Sequence, residues 1–223
     1  MSKINLMKNN PRILLYWGYK IINLLKRNTL NNGERYDPNI LRRFNINDSH
    51  QEQRYQLAAD LIAGNDTVLD IACGTGYGTL MLAEKSLDIK GVDISREAIK
   101  YANKHYKTRS NINFIQSDLF SFNGPADVVV SFETIEHVHE EIKDIVSKLI
   151  ALTNKRLICS LPYREIAGGN RHHFHFNIGE SSFDFLKDSY QVKFLYQSMD
   201  GRILDSVADD TATLIIIIDK AVN

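Results

Sequence analysis

An imbalance of charge is the first thing this sequence lacks. Lys plus Arg and Asp plus Glu each number 27 among 223 residues, so the formal net charge is zero. No global field then draws the chain to nucleic acid or to an acidic membrane, and no clear basic stripe stands out. Cysteine is scarce, with Cys73 and Cys159 alone. Both lie in apolar, strand-like contexts, which fits buried reduced thiols in a cytoplasmic protein and argues against a disulfide framework. No internal repeat is visible. Long apolar runs are missing too. The stretch "ILLYWGYKIINLL" at 13–25 reaches only about half to two-thirds of the length of a membrane span. No small-residue cleavage site follows it, so a secretory signal is not expected. Its flanks are basic, Arg12 before and Lys26 and Arg27 after. Two readings stay open for residues 12–27. One is a helix packed on the domain or on a dimer partner. The other is an interfacial helix at the inner face of a membrane, with Tyr16, Trp17 and Tyr19 at headgroup level.

What is present is an ordinary globular composition, 43% hydrophobic and 24% charged. The length suits one large domain, or one domain with a small appendage. From residue 55 onward, strand and helix signals alternate. Strands are expected at 67–72, 89–94, 111–118, 126–132, 155–162, 192–205 and 211–221. Helices are expected at 79–85, 95–106, 139–152 and 182–190, the second of them N-capped by Ser95. Alternation of this kind predicts a mostly parallel sheet covered on both faces. The last two strands have no helix between them and should form an antiparallel hairpin at the sheet edge. Residues 1–54 stand outside the pattern and read as an N-terminal helix followed by a polar lid or linker; residues 55–223 form the domain.

The segment "VLDIACGTGYG" runs a buried strand into Gly74, Gly76 and Gly78 and then into a helix. Glycines allow a tight turn and a close approach of ligand to backbone. Alone, such a loop serves a dinucleotide or is simply a turn. Three acids sharpen it. Asp70 precedes the glycines. Asp93 ends the second strand, where an acid takes ribose hydroxyls. Asp118 ends the third, where a carboxylate accepts from an adenine amino group. A hydride-transfer site is disfavoured, because the full Gly-x-Gly-x-x-Gly is absent.

With "GVDIS", "SDLF" and "DVVVSFETIEH" in order behind that segment, the chain resembles the class I S-adenosylmethionine-dependent methyltransferases over roughly residues 55–220. The resemblance implies an α/β, Rossmann-like sheet of seven strands, mostly parallel, with an antiparallel last strand and helices on both faces. It implies S-adenosylmethionine as cofactor. Gly74 and Gly76 would face its methionine part, Asp93 its ribose, and Asp118 with Leu119 its adenine, while Asp70 would shape the loop. Ala72, Tyr77, Ile94, Ser117 and Phe132 complete the implied site, with Tyr36 meeting the cofactor's carboxylate.

The stretch "SFETIEHVHE" at 131–140 follows the fourth strand, whose end faces the transferable methyl group in this fold. If a helical turn starts there, Glu133, Glu136 and His137 fall at i, i+3 and i+4 and share one face. Two carboxylates and an imidazole make half of a metal site, or a general base with an orienting partner. His139 falls on another face, as a solvated residue. A loop after the fifth strand carries His172, His173 and His175. Glu133, Glu136, His137 and one of these histidines, His173 foremost, form a ligand set suited to Mg²⁺ or Mn²⁺. Either a metal or His137 acting as base would remove the proton of an acceptor hydroxyl.

Two subfamilies share the pattern. Small-RNA 3′-terminal 2′-O-methyltransferases look similar in Glu-x-x-Glu-His and a later His. Methyltransferases of bacterial polysaccharide and glycan biosynthesis are the closer match, since the likeness extends through "GERY" to residues 33–65. The resemblance thus implies transfer to a sugar hydroxyl of a glycan or small-molecule acceptor, with nucleic acid not favoured. The rivals are an RNA ribose methyltransferase, a small-molecule or phosphate-ester methyltransferase, and a non-catalytic cofactor-binding subunit. Arg54 and Tyr55 read as cover for cofactor or acceptor, or as packing.

Overall fold

The computed structural model describes residues 35, 37–42, 49–168 and 170–220. The chain divides into two compact units, 1–49 and 50–223. In the first, a short helix α1 (Pro38–Arg42) follows Asp37, whose Oδ1 accepts from the Asn39 backbone N–H at 2.9 Å. The apolar stretch 13–25, the candidate dimer or membrane surface at 12–27, and Tyr36 lie outside the described residues. Among the described residues no helix is long and apolar enough to cross a membrane.

The second unit opens with α2 (His50–Asp60), so the expected 54/55 boundary falls inside a helix. It continues as β1 (Thr67–Ile71), α3 (Tyr77–Ala83), β2 (Asp88–Asp93), α4 (Arg96–His105), β3 (Ile112–Gln116), β4 (Ala126–Phe132), α5 (Ile142–Ala151) and β5 (Thr153–Pro162). Then come β6 (Gln191–Ser198), β7 (Ile203–Leu204) and β8 (Thr211–Asp219), with short 3₁₀ turns at Ile135–His137 and Glu180–Leu186. Local chemistry explains the helices. Ser95 caps α4 by accepting from the Ala98 N–H at 3.3 Å. Helix α5 buries Ile145, Val146, Leu149 and Ile150, one face at helical spacing.

The sheet order is β3-β2-β1-β4-β5-β8-β6-β7. Strands β1 to β5 pair in parallel, and β8 runs antiparallel to both β5 and β6. One expectation needs correction. The sheet has eight strands, because 192–205 is broken rather than continuous. Gly201 (φ 94°) turns the chain there, and the Asp200 carboxylate accepts from Ser198 Oγ and the Arg202 N–H, leaving β7 as a two-residue edge strand. The expected antiparallel pairing of the last two long strands is present at this end of the sheet, with β8 on its inner side. Leu214 through Ile218 are all buried, so this run is apolar on both faces and must be inserted between β5 and β6. Cys73 and Cys159 are both buried.

The parallel strands deliver five loops to one edge of the sheet: those after β1, β2, β3, β4 and β5. Ligands of open α/β sheets bind at this carboxyl edge.

Candidate active site

The loop after β1 is folded by left-handed backbone. Ala72, Gly74 and Gly76 have φ of 59, 55 and 88°. The turn they make brings the Cys73 N–H to the Val92 carbonyl and the Gly76 N–H to the Cys73 carbonyl, both at 3.0 Å. At Gly76 a side chain is excluded by packing as well as by φ, since its Cβ would stand 2.7 Å from that of Ala102. Asp70 lies fully buried under this loop. It accepts from Thr79 Oγ1 at 2.6 Å and from the Tyr55 hydroxyl at 3.2 Å. Burial lifts its carboxyl to about 7, against the downward pull of both bonds. The Tyr55 ring stands edge-on to Tyr77 and Phe132, with centroids 5.3 and 5.0 Å away. Tyr77 is buried, and its hydroxyl donates to Gln51 Oε1 at 3.0 Å.

Asp93 ties this loop to the next. Its Oδ2 accepts from the Gly74 N–H at 2.9 Å and its Oδ1 from the Ser95 N–H at 2.8 Å. Beside it Ile94 is 68% exposed, an apolar surface with a carboxylate at its foot. Asp118 accepts from the Phe120 and Ser121 N–H groups at 3.0 and 2.9 Å, and bonds around Ser121 hold its carboxyl below the ordinary range. The Ser117 hydroxyl donates to the Asp118 carbonyl at 3.0 Å, and Leu119 is buried.

After β4 the chain departs from the expected helical turn. Glu133 is left-handed (φ 50°), and a three-residue 3₁₀ turn covers Ile135–His137 with Ile135 wholly buried. Glu133, Glu136 and His137 therefore do not share a helix face. The reason lies across the sheet. The Glu133 N–H donates to the Ser160 carbonyl at 2.9 Å, extending the β4–β5 ladder one residue past the strand. Its Oε1 accepts from Ser160 Oγ at 2.9 Å and lies 3.7 Å from Arg54 Nη2. Arg54 is itself buried, with Nη1 donating to Gln197 Oε1 at 2.7 Å.

Glu136 is 1% exposed, and neither carboxylate oxygen has a hydrogen-bond partner. Burial, then the nearby Glu133 charge, raises its carboxyl well above the usual range; Arg54 pulls the other way and loses. The loop after β5 folds back on this turn. The Phe174 N–H donates to the Glu136 carbonyl at 2.7 Å, and His175 Nε2 lies 2.9 Å from the Val138 and Glu140 carbonyls. His173 arrives edge-on to His137, ring centroids 4.6 Å apart. Ligand atoms of Glu136, His137 and His173 all lie within 4.8 Å of one another. The structure thus brings together three of the four expected ligands and directs Glu133 toward Ser160 and Arg54. His139 is exposed and stacks on Phe174. Among the functional candidates, sequence reasoning missed Glu165 and Asn170, which flank His173. No local signal marks them, because both belong to an irregular loop.

Residues 68–156, from β1 into β5, match the family model described as a methyltransferase domain. The ubiquinone biosynthesis O-methyltransferase of Paraburkholderia phymatum is 35% identical over 81 residues, 34% of this chain and 35% of that protein. The chain spans less than half the length of each curated relative it matches. Among solved structures, the small RNA methyltransferase HEN1 superposes with a TM-score of 0.62 at 23% identity, over 78% of this chain and 25% of that one. The N-methyltransferase NodS of Bradyrhizobium japonicum, solved with S-adenosyl-L-homocysteine, superposes with a TM-score of 0.61 at 18% identity, over 80% and 90%. These likenesses show a shared methyltransferase fold.

Proposed function

We propose that the chain is an S-adenosylmethionine-dependent O-methyltransferase that acts on a sugar hydroxyl of a glycan or small-molecule acceptor, with help from a divalent cation. The observation that carries this reading is the Glu136 carboxylate, buried without a partner beside His137 and His173. A buried acid in that state costs free energy that a structural role would not repay. A ligand supplies the missing contacts.

S-adenosylmethionine, when bound, supplies an electrophilic sulfonium methyl group. The residues fit it. Asp93 presents acceptor oxygens where ribose hydroxyls would donate, and Ile94 and Leu119 offer apolar walls to a purine. The Gly74 to Gly76 turn brings backbone close enough for the methionine part to approach. Glu136, His137 and His173 would hold a divalent cation such as Mg²⁺ or Mn²⁺, which would lower the pKa of a bound hydroxyl. Without a cation, His137 would take the proton itself, since one lone pair cannot both ligate an ion and accept a proton. His137 Nδ1 stands 3.2 Å from the His172 carbonyl, which puts its proton there and its basic lone pair on Nε2. Nε2 lies 3.9 Å from Glu136 Oε1, so the basic nitrogen and the carboxylate face one acceptor position. The zero net charge favours a glycan over an RNA acceptor, which would need phosphate contacts.

The test is turnover of S-adenosylmethionine with nucleotide sugars, glycans and short RNAs, each with EDTA and with added Mg²⁺ or Mn²⁺. Transfer to a sugar that requires metal and is lost in Glu136→Ala supports the reading. Transfer that survives EDTA and fails only in His137→Ala makes His137 the unaided base. Salt-sensitive transfer to RNA alone would replace the glycan acceptor with a ribose terminus.

A further inference from the structure

His173 is engaged at both ring nitrogens by its own loop. Nδ1 is hydrogen-bonded to Glu165 Oε2, and Nε2 stands 2.9 Å from Asn170 Nδ2. The orientation of the Asn170 amide follows from a third bond: its Oδ1 accepts from the His172 backbone N–H at 3.0 Å. The amide nitrogen is therefore the end that meets the ring. A carboxylate accepts and an amide nitrogen donates, so the two partners specify one tautomer. The proton sits on Nδ1, toward Glu165, and the lone pair sits on Nε2, toward Asn170. With Nδ1 engaged by Glu165, the lone pair on Nε2 is what His173 can offer beside Glu136 and His137.

We propose that Glu165 is a positioning residue that holds His173 in its ligating tautomer, and that Asn170 is an internal competitor for the ligating lone pair. The inference rests on the metal reading of the site. Metal-ligating histidines gain orientation and basicity from a carboxylate on the other nitrogen. Here that carboxylate lies eight positions upstream in the same loop, and the His173 side chain is 6% exposed while that of Glu165 is 24% exposed, so the ring is sheltered and the carboxylate meets water at one side. Asn170 adds something different. It satisfies the buried lone pair while no ion is bound, and an ion must displace it to use His173. Glu136 has no such stand-in, since both of its oxygens are unpartnered. The cation site is thus half closed by its own loop, and its affinity is set by how easily one amide swings aside.

The experiment uses the full chain freed of metal, titrated with Mn²⁺ by calorimetry, together with ¹⁵N spectra of the histidine rings. Asn170→Ala should tighten Mn²⁺ about fivefold, the worth of one neutral hydrogen bond. Glu165→Ala should weaken it on the order of tenfold or more, and Glu165→Gln should recover part of that loss. The spectra of the metal-free wild type should show His173 protonated on Nδ1, and Glu165→Ala should lose that preference. Circular dichroism checks that each variant is folded. An Nε2-protonated His173, or a Mn²⁺ affinity that is unchanged or weaker in Asn170→Ala, overturns the inference while leaving the metal site standing. Absence of Mn²⁺ binding in wild type and Asn170→Ala alike overturns the metal reading and the competition with it.

Discussion

The two halves of the carboxyl edge are built on opposite terms. Around the glycine loop, polar groups find partners within the chain: Asp70 has Thr79 and Tyr55, and Asp93 has the Gly74 and Ser95 N–H groups. Around the turn after β4, the buried Glu136 carboxylate has no hydrogen-bond partner. The first half is a finished cradle whose shape exists before any ligand arrives. The second keeps unspent interactions, as sites of chemistry do. Stability and function should therefore separate between them.

The sharpest break is Glu136→Met. Removing a buried, unpartnered acid should stabilise the domain by roughly 1–4 kcal/mol. The same change should lower methyl transfer on the order of 10²–10⁴-fold. Urea unfolding beside single-turnover assays reads both, and a destabilised but active variant would erase the contrast. In the cradle the opposite is expected. A Cβ at Gly78 would stand 2.0 Å from the Tyr55 ring, and Tyr55 in turn holds Asp70. Gly78→Ala should cost roughly 1–3 kcal/mol of stability by overpacking and weaken cofactor binding in step. Unfolding midpoints and cofactor titration would follow that pairing.

A pH series sharpens the comparison further. The Asp70 carboxyl is raised from its ordinary 3.8 to about 7, so the fold favours its protonated form. That contribution is complete below the unfolded value and is lost as pH rises through the folded one. Stability should fall as pH climbs from about 4 to about 8, and Asp70→Asn should flatten the slope. An unchanged slope in that variant would assign the dependence to other groups. The smallest effect belongs far from both halves. Arg109 and Glu84 pair at 3.1 Å with side chains 48% and 61% exposed. Arg109→Ala should shift stability by less than about 0.5 kcal/mol and leave turnover unchanged. A larger effect, read by the same urea midpoints, would mean that the pair supports the helices behind the cradle.

Much of the cradle was legible beforehand. Its signals are local: a strand running into glycines, an acid at the next strand end, a serine that caps a helix. Each element there appeared within a few residues of its expected span, because hydrophobic period and capping act over one or two turns. The half after β4 was legible only as a list of residues. Helical spacing put Glu133 on the face of Glu136 and His137, but the Ser160 carbonyl captures the Glu133 N–H and the turn tightens into 3₁₀ geometry. A bond to a strand 27 residues away leaves no trace in the spacing of Glu-x-x-Glu-His. The broken strand near Gly201 and the interior place of β8 belong to the same class, since pairing order depends on which faces remain to be covered.

By itself, the sequence determined the alternation of strands and helices, the mostly parallel sheet, the glycine turn with its acids, and the residue types of the half after β4. These follow from short-range sterics, periodicity and side-chain chemistry. Only the tertiary structure decided that β8 is interior, that Glu133 turns to Ser160 and Arg54, and that Glu165 and Asn170 hold His173 against His137. Those outcomes are settled by burial and by hydrogen bonds between segments distant in the chain, where satisfying one buried polar group fixes the geometry of the next.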